Sequence, residues 1–374
     1  MNNVTDSSVG FYNKVYGSYR EENYFQQIKI TINYIKNSVG VGSDKERIYR
    51  INSLSLGCDD KDIITTTEYK DIEDFIKKCN DNLGKKSYPY EWQIFYLYKE
   101  LFQFFISDKY NYNFFRGQAH DYSLVPGILR EAVQNSYRND FENLYLKIAN
   151  EFPDKISYFS LSSREEIDKR EYQLSLLQHF GLKTSLLDIT SNPYIAMLFM
   201  LSEGSADYKE PTLFLFRIDE KIHKDKHLFT EVKKSKLNER IIAQKGAFLN
   251  FDKIFENRSY DIEKIPRVKI VLHFDSEGFK SQIEKEKREL LEVQEKTELP
   301  ITNSRIMAYY EALDDEVKNI DKTKVDYLKY IKDELSNKLR EYCYFEEDLF
   351  PDFEKRIQYL SDKYEAIGLK KISQ

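Results

Sequence analysis

Apolar residues recur along this chain at intervals that predict both helices and strands. Between Asn23 and Lys36, Phe25, Ile28, Ile30, Ile32 and Ile35 fall at roughly helical spacing. Gly40 and Gly42 mark a loop, and Arg47–Leu56 reads as a strand. Tyr69–Leu83 is expected to be an amphipathic helix, with Ile72, Phe75, Ile76 and Cys79 on one face and Gly84 as its stop. Glu91–Ile106 (EWQIFYLYKELFQFFI) is apolar enough to be a core helix.

Asn111–Gln118 then reads as a strand, and Ser123–Arg130 contains a Pro-Gly turn. Helices are expected over Asp140–Phe152, Ser163–His179 and from Pro193 to Leu201. For the last of these, Asn192 stands at the N-cap and Pro193 at the first helical position. Thr212–Ile218 (TLFLFRI) and Arg267–Phe274 (RVKIVLHF) read as buried strands. From Phe279 to about Glu346 the chain is charge-rich and helical, with Glu and Lys alternating as on a solvated face. Leu349-Phe350-Pro351-Asp352-Phe353 precedes a last amphipathic helix.

Charge narrows the choice of partners. The 374 residues carry 57 basic and 63 acidic side chains, a net charge of −6, which gives no global attraction to nucleic acid or anionic membrane. The chain is 41% hydrophobic and 32% charged, so it is a globular protein with a sizeable core. Its 29 Tyr and 25 Phe against one Trp fit the codon usage of a low-GC genome better than a base-stacking surface. Cys58, Cys79 and Cys343 stand alone, with no CxxC pair, which disfavours zinc and suits a reducing cytoplasm. The N-terminus does not look like a signal peptide, and the longest apolar run, Tyr194–Leu201, is too short for a membrane span. A cytoplasmic protein is expected.

Two segments concentrate the site-like chemistry. In Phe114-Phe115-Arg116-Gly117-Gln118 an arginine follows two aromatic residues at a strand end. Its guanidinium suits phosphate or carboxylate, Gly117 would let backbone approach a ligand, and Gln118 adds a donor and an acceptor. The bland alternative is an arginine in a structural ion pair. The second segment runs from Gln178 to Pro193. His179 ends a helix, where it can serve as a general base or a ribose contact, or only complement the dipole. Thr184, Ser185, Asp188, Thr190 and Asn192 read as one loop entering a helix N-terminus, which suits an anion or nucleotide, or a capping network alone. Arg240, Gln244 and Gly246 make a third polar cluster.

The chain lacks GxxxxGK[ST], GxGxxG, HExxH and GxSxG. His223 and His227 could share a helix face but have no third ligand, so no metal is expected. Nor are there the paired carboxylates of a two-metal nuclease.

Taken together, these residues resemble the FRG domain, a bacterial family named for its Phe/Tyr-Arg-Gly motif. The resemblance runs through Phe115-Arg116-Gly117-Gln118, then Leu124, Pro126 and Arg130. It continues from Gln178 through Pro193 into Ala196 and Phe199, then Arg240, Gln244, Gly246 and Phe248, and ends at Leu349-Phe350-Pro351-Asp352. It implies an FRG domain over residues 66–360 with a helical insertion at about 280–345, an N-terminal extension or small lobe over 1–65 and a tail over 361–374. Ser185 stands where the family often has Arg, and Ile189 where it often has Trp.

The layout is similar in turn to ADP-ribosyltransferases. That likeness implies an α+β fold with a central mixed or antiparallel sheet and many peripheral helices. It implies NAD as substrate, held by Arg116, Gly117, Gln118, Thr184, Thr190 and Asn192. Arg116, His179, Asp188 and Gln244 would be the catalytic residues, with Gln244 on a later strand where transferases carry Glu. The macromolecular acceptor would be RNA, DNA or protein, in a toxin–antitoxin or phage-defence setting with an antitoxin or defence partner protein. The alternative is a non-catalytic module that senses a nucleotide or a phage protein.

Overall fold

The computed structural model describes residues 10–37, 49–83, 94–202, 207–219, 221, 228–230, 239–256, 263–296, 300–351 and a few positions beyond. Eight strands form one mixed sheet: β1 (Phe25–Lys36), β2 (Tyr49–Gly57), β3 (Phe114–Gln118), β4 (Leu186–Thr190), β5 (Thr212–Phe216), β6 (Phe229–Thr230), β7 (Gly246–Asn250) and β8 (Ile265–Phe274). Their order across the sheet is β2-β1-β8-β5-β3-β4-β7-β6. Among the described strands only β1 and β8 run parallel; every other neighbouring pair is antiparallel. The fold class is therefore α+β, as expected.

Helices cover both faces: α1 (Phe11–Ser18), α2 (Lys61–Ile64), α3 (Thr67–Leu83), α4 (Ile94–Ile106), α5 (Asn135–Glu151), α6 (Arg164–His179), α7 (Pro193–Leu201), α8 (Glu239–Ala243), α9 (Lys253–Glu256), α10 (Ser276–Glu295), α11 (Pro300–Lys318) and α12 (Ile320–Glu341). The sheet divides the apolar residues into two cores. Leu213 and Leu215 of β5 pack with α3, α4, α7, α10 and α12, while Phe214 and Phe216 pack with α1, α5 and α6. All five residues of β5 are buried, because a strand covered on both faces reads as an unbroken apolar run. None of the described helices is long and apolar enough to cross a membrane.

Two local expectations are corrected. Asn23–Lys36 is not a helix. Phe25–Lys36 forms β1, in parallel register with β8 from Phe25 opposite Ile265 to Tyr34 opposite Phe274. Ile28, Ile30, Ile32 and Tyr34 point to one buried face at a period of two. The helical spacing also fits some of the same residues, and tertiary pairing with β8 decides the outcome. The second correction concerns Thr184–Thr190, read from its residues as a loop. Leu186–Thr190 is β4, paired with β7 over five residues. Gly40, Gly42, Gly84, His223 and His227 lie outside the described residues, and the helix expected after Asp352 lies mostly outside them.

Candidate functional site

The sheet splits between β3 and β4. These strands meet at one register position, Phe115 opposite Thr190, whereas each pairs over five positions with its other neighbour. The Arg116 guanidinium spans the split and donates from Nη1 to the Asp188 backbone carbonyl at 2.6 Å. A side chain thus takes the place of a missing ladder bond. Arg116 Nε is buried without a hydrogen-bond partner among the described residues.

A cavity of about 200 Å³ opens at this split. Arg116, Gly117, Gln178, His179, Asp188, Thr190, Arg240 and Gln244 line it, with Phe115, Phe199 and Phe248 as apolar walls. All four residues expected to be catalytic therefore share one cavity. Of the residues expected to bind the ligand, Arg116, Gly117 and Thr190 line it as well, whereas Gln118, Thr184 and Asn192 do not. Gln118 lines a second, more open cavity that shares Arg116, Gly117 and Phe199 with the first.

Each wall residue has a local cause. α6 ends in a Schellman motif: Leu182 N donates to Leu177 O and Gly181 N to Gln178 O, both at 3.0 Å. Gly181 supplies the required positive φ of 95°. This termination leaves Gln178 and His179 at the mouth, with His179 edge-on to Phe180. Gln178 Nε2 donates to both Asp188 carboxylate oxygens, at 2.9 and 3.0 Å, and its Oε1 accepts from the Thr184 hydroxyl. Asp188 itself is solvent-exposed on an otherwise buried strand.

Thr190 Oγ1 donates to Gln244 O at 2.7 Å and accepts from Asn192 N at 3.1 Å. Asn192 caps α7, its Oδ1 accepting from Tyr194 N at 2.9 Å and Ile195 N at 3.3 Å, and its Nδ2 donates to the Tyr344 hydroxyl. The capping alternative thus describes Asn192.

Gln244 corrects one expectation, and Gly117, which lines both cavities, also has a packing role. Gly117 lets helix α7 approach, since a Cβ there would collide with the Ala196 carbonyl and lie 2.7 Å from Met200 N. Gln244 lies in the turn between α8 and β7, not on a strand. Its amide Nε2 donates to Leu349 O at 3.1 Å.

Burial pulls the Arg116 guanidinium down to about 10; the nearby Asp188 carboxylate opposes this and the positive Arg130 adds to it. Arg116 is still cationic at neutral pH. Arg240 lies over the Phe350 ring, 5.1 Å from its centroid. The cavity therefore combines two guanidiniums with Asp188, the one carboxylate among its described lining residues. Such a site suits an anionic ligand that also carries hydroxyls.

Gln178 and Phe199 fall in segments that the sequence singles out but have no individual role there, and Ser175 falls outside them. Ser175, Gln178 and His179 stand at i, i+3 and i+4 on α6, a spacing that puts all three on one helix face.

Residues 111–209 match the family model of the FRG domain. The chain carries an FRG domain. That match spans β3, β4 and the helices α5, α6 and α7, so it contains most of the cavity wall. No curated protein and no solved structure matches the chain.

Proposed function

We propose that the FRG cavity binds NAD and transfers ADP-ribose to a macromolecular acceptor. The observation that carries this reading is that one cavity holds the cationic Arg116, bonded across the β3–β4 split to the Asp188 backbone carbonyl, and the Asp188 carboxylate, oriented by Gln178. Arg116 holds a phosphate. Asp188, fixed by Gln178, accepts from a ribose hydroxyl and stabilises the positive charge that develops at the ribose C1′. The glycosidic C–N bond breaks, nicotinamide leaves with the bonding electrons, and a nucleophile of the acceptor forms the new bond to C1′. The acceptor's proton passes to Asp188, His179 or water. Gln244 orients through its carbonyl oxygen and takes no proton.

A transferase of this kind would harm its own cell if unrestrained, which fits a toxin–antitoxin or phage-defence setting with a restraining partner.

The test is nicotinamide release from NAD by the purified full chain, with RNA, DNA and protein offered as acceptors. Release is expected from the wild type and is lost in Arg116→Ala and Asp188→Asn. Intact NAD with every acceptor in the wild type would overturn the reading. One observation favours a second reading, a non-catalytic nucleotide sensor: the Gln244 amide is committed to Leu349 O, where a transferase would present an acid. Ligand binding with no turnover would select that reading.

A further inference from the structure

The geometry points to the second, outer cavity as the seat of a diphosphate and its distal nucleoside, with Arg130 and Arg116 gripping the diphosphate between them. The inference rests on the nucleotide reading of the inner cavity. That cavity, at about 200 Å³, is small for a whole dinucleotide, since ligand pockets of that class usually exceed ~300 Å³. The adjoining outer cavity holds about 1210 Å³, and Arg116 stands at the junction.

Arg130 is exposed, and no carboxylate pairs with it among the described residues. Its charge nevertheless reaches Arg116 strongly enough to disfavour the Arg116 cation. Two guanidiniums held on one rim repel each other, and a bound dianion turns that cost into attraction.

The turn that presents Arg130 is firmly held. Buried Arg138 donates from Nε to Ile128 O at 3.1 Å and from Nη2 to Arg130 O at 2.8 Å. Ile128 N donates to Thr184 O at 3.0 Å, which ties this turn to the segment entering β4. The Arg138 guanidinium is itself stacked on Tyr16, 3.8 Å from the ring centroid.

The acidic groups of the outer cavity do not cancel this. Glu21 is already occupied by Leu124 N and Arg267, and Arg20 offsets one of Glu22 and Glu131. Tyr19 and Tyr122 supply aromatic wall for a base, Tyr122 being 48% exposed.

The experiment is calorimetric titration of the full chain with ADP and with adenosine, run beside the nicotinamide-release assay. Wild type is expected to bind ADP at least about tenfold more tightly than adenosine, as one charge-assisted contact allows. Arg130→Ala should erase most of that difference, Arg130→Lys should restore part of it, and both variants should keep the wild-type melting temperature. ADP affinity unchanged by Arg130→Ala, or no ADP binding at all, overturns the inference. NAD turnover with an unaltered KM in Arg130→Ala would also overturn it while leaving the transferase reading intact. Arg130-dependent ADP binding without any NAD turnover would do the reverse.

Discussion

Both carboxylate oxygens of Asp188 accept from one nitrogen of Gln178, at 2.9 and 3.0 Å. Gln178 is held in turn by the Thr184 hydroxyl, so a chain of three side chains sets the direction of the carboxylate at the cavity mouth. Gln178→Ala leaves Asp188 without its clamp. NAD turnover is expected to fall about 100-fold, the scale of a small misplacement of a reacting group. Gln178→Glu should be at least as damaging, because it sets a like charge against Asp188. Equal turnover in wild type and Gln178→Ala, measured as nicotinamide released per unit time, would remove Gln178 from the mechanism.

Gly117 is fixed by packing. The Cβ of Gly117→Ala would meet the backbone of α7 at Ala196 and Met200, atoms that cannot rotate aside. The helix must shift, at a cost of about 3 kcal/mol or more. Thermal unfolding of the variant should move down by several degrees. An unchanged midpoint would show that α7 yields more easily than this packing implies.

Much of this architecture can be read from sequence because burial on one or two faces leaves a periodic trace. Thr212–Phe216 is apolar throughout since helices cover both sides of β5, and α3 shows its buried stripe at Ile72, Ile76 and Cys79. β1 misleads because residues such as Ile28 and Ile32 satisfy a period of two and nearly satisfy a helical turn. The partner that decides the matter, β8, lies more than 200 residues later. The packing role of Gly117 is hidden for a similar reason: α7, which demands the missing side chain, is absent from the local pattern. The cavity residues Arg116, His179, Asp188 and Gln244 were legible as clusters. Their grouping depends on the single contact between β3 and β4, which no local spacing encodes.

Asn192 separates capping from ligand binding. Asn192→Ala removes the acceptor for Tyr194 N and Ile195 N and the donor to Tyr344. The expected loss is about 1–2 kcal/mol in chemical denaturation. Asn192→Asp keeps the cap acceptor and should lose less. Nucleotide affinity, measured well below the melting temperature, should change little in either variant, because Asn192 lies outside both cavities. A tenfold loss of affinity in the fully folded Asn192→Asp protein would return this residue to the binding site.

Arg170 couples the site-bearing helix α6 to the rest of the fold. Its guanidinium is fully buried, donates to Asp252 at 2.8 Å and also pairs with Glu142. Burial raises the Glu142 carboxyl above its ordinary range, against the opposing pull of Arg170. Arg170→Met leaves two buried carboxylates without their cation, and the expected cost at neutral pH is about 3–5 kcal/mol. Removing the cation raises the Glu142 carboxyl further in the folded state. The folded protein then binds a proton more tightly than the unfolded chain, so the contribution is favourable at low pH. It is lost as pH rises from the ordinary carboxylate range through the raised folded value. Urea denaturation at pH 5 and pH 8 should therefore show a larger deficit for Arg170→Met, relative to wild type, at pH 8. An equal deficit at both pH values would mean that Glu142 does not titrate within that window, and the electrostatic account of this network would fail.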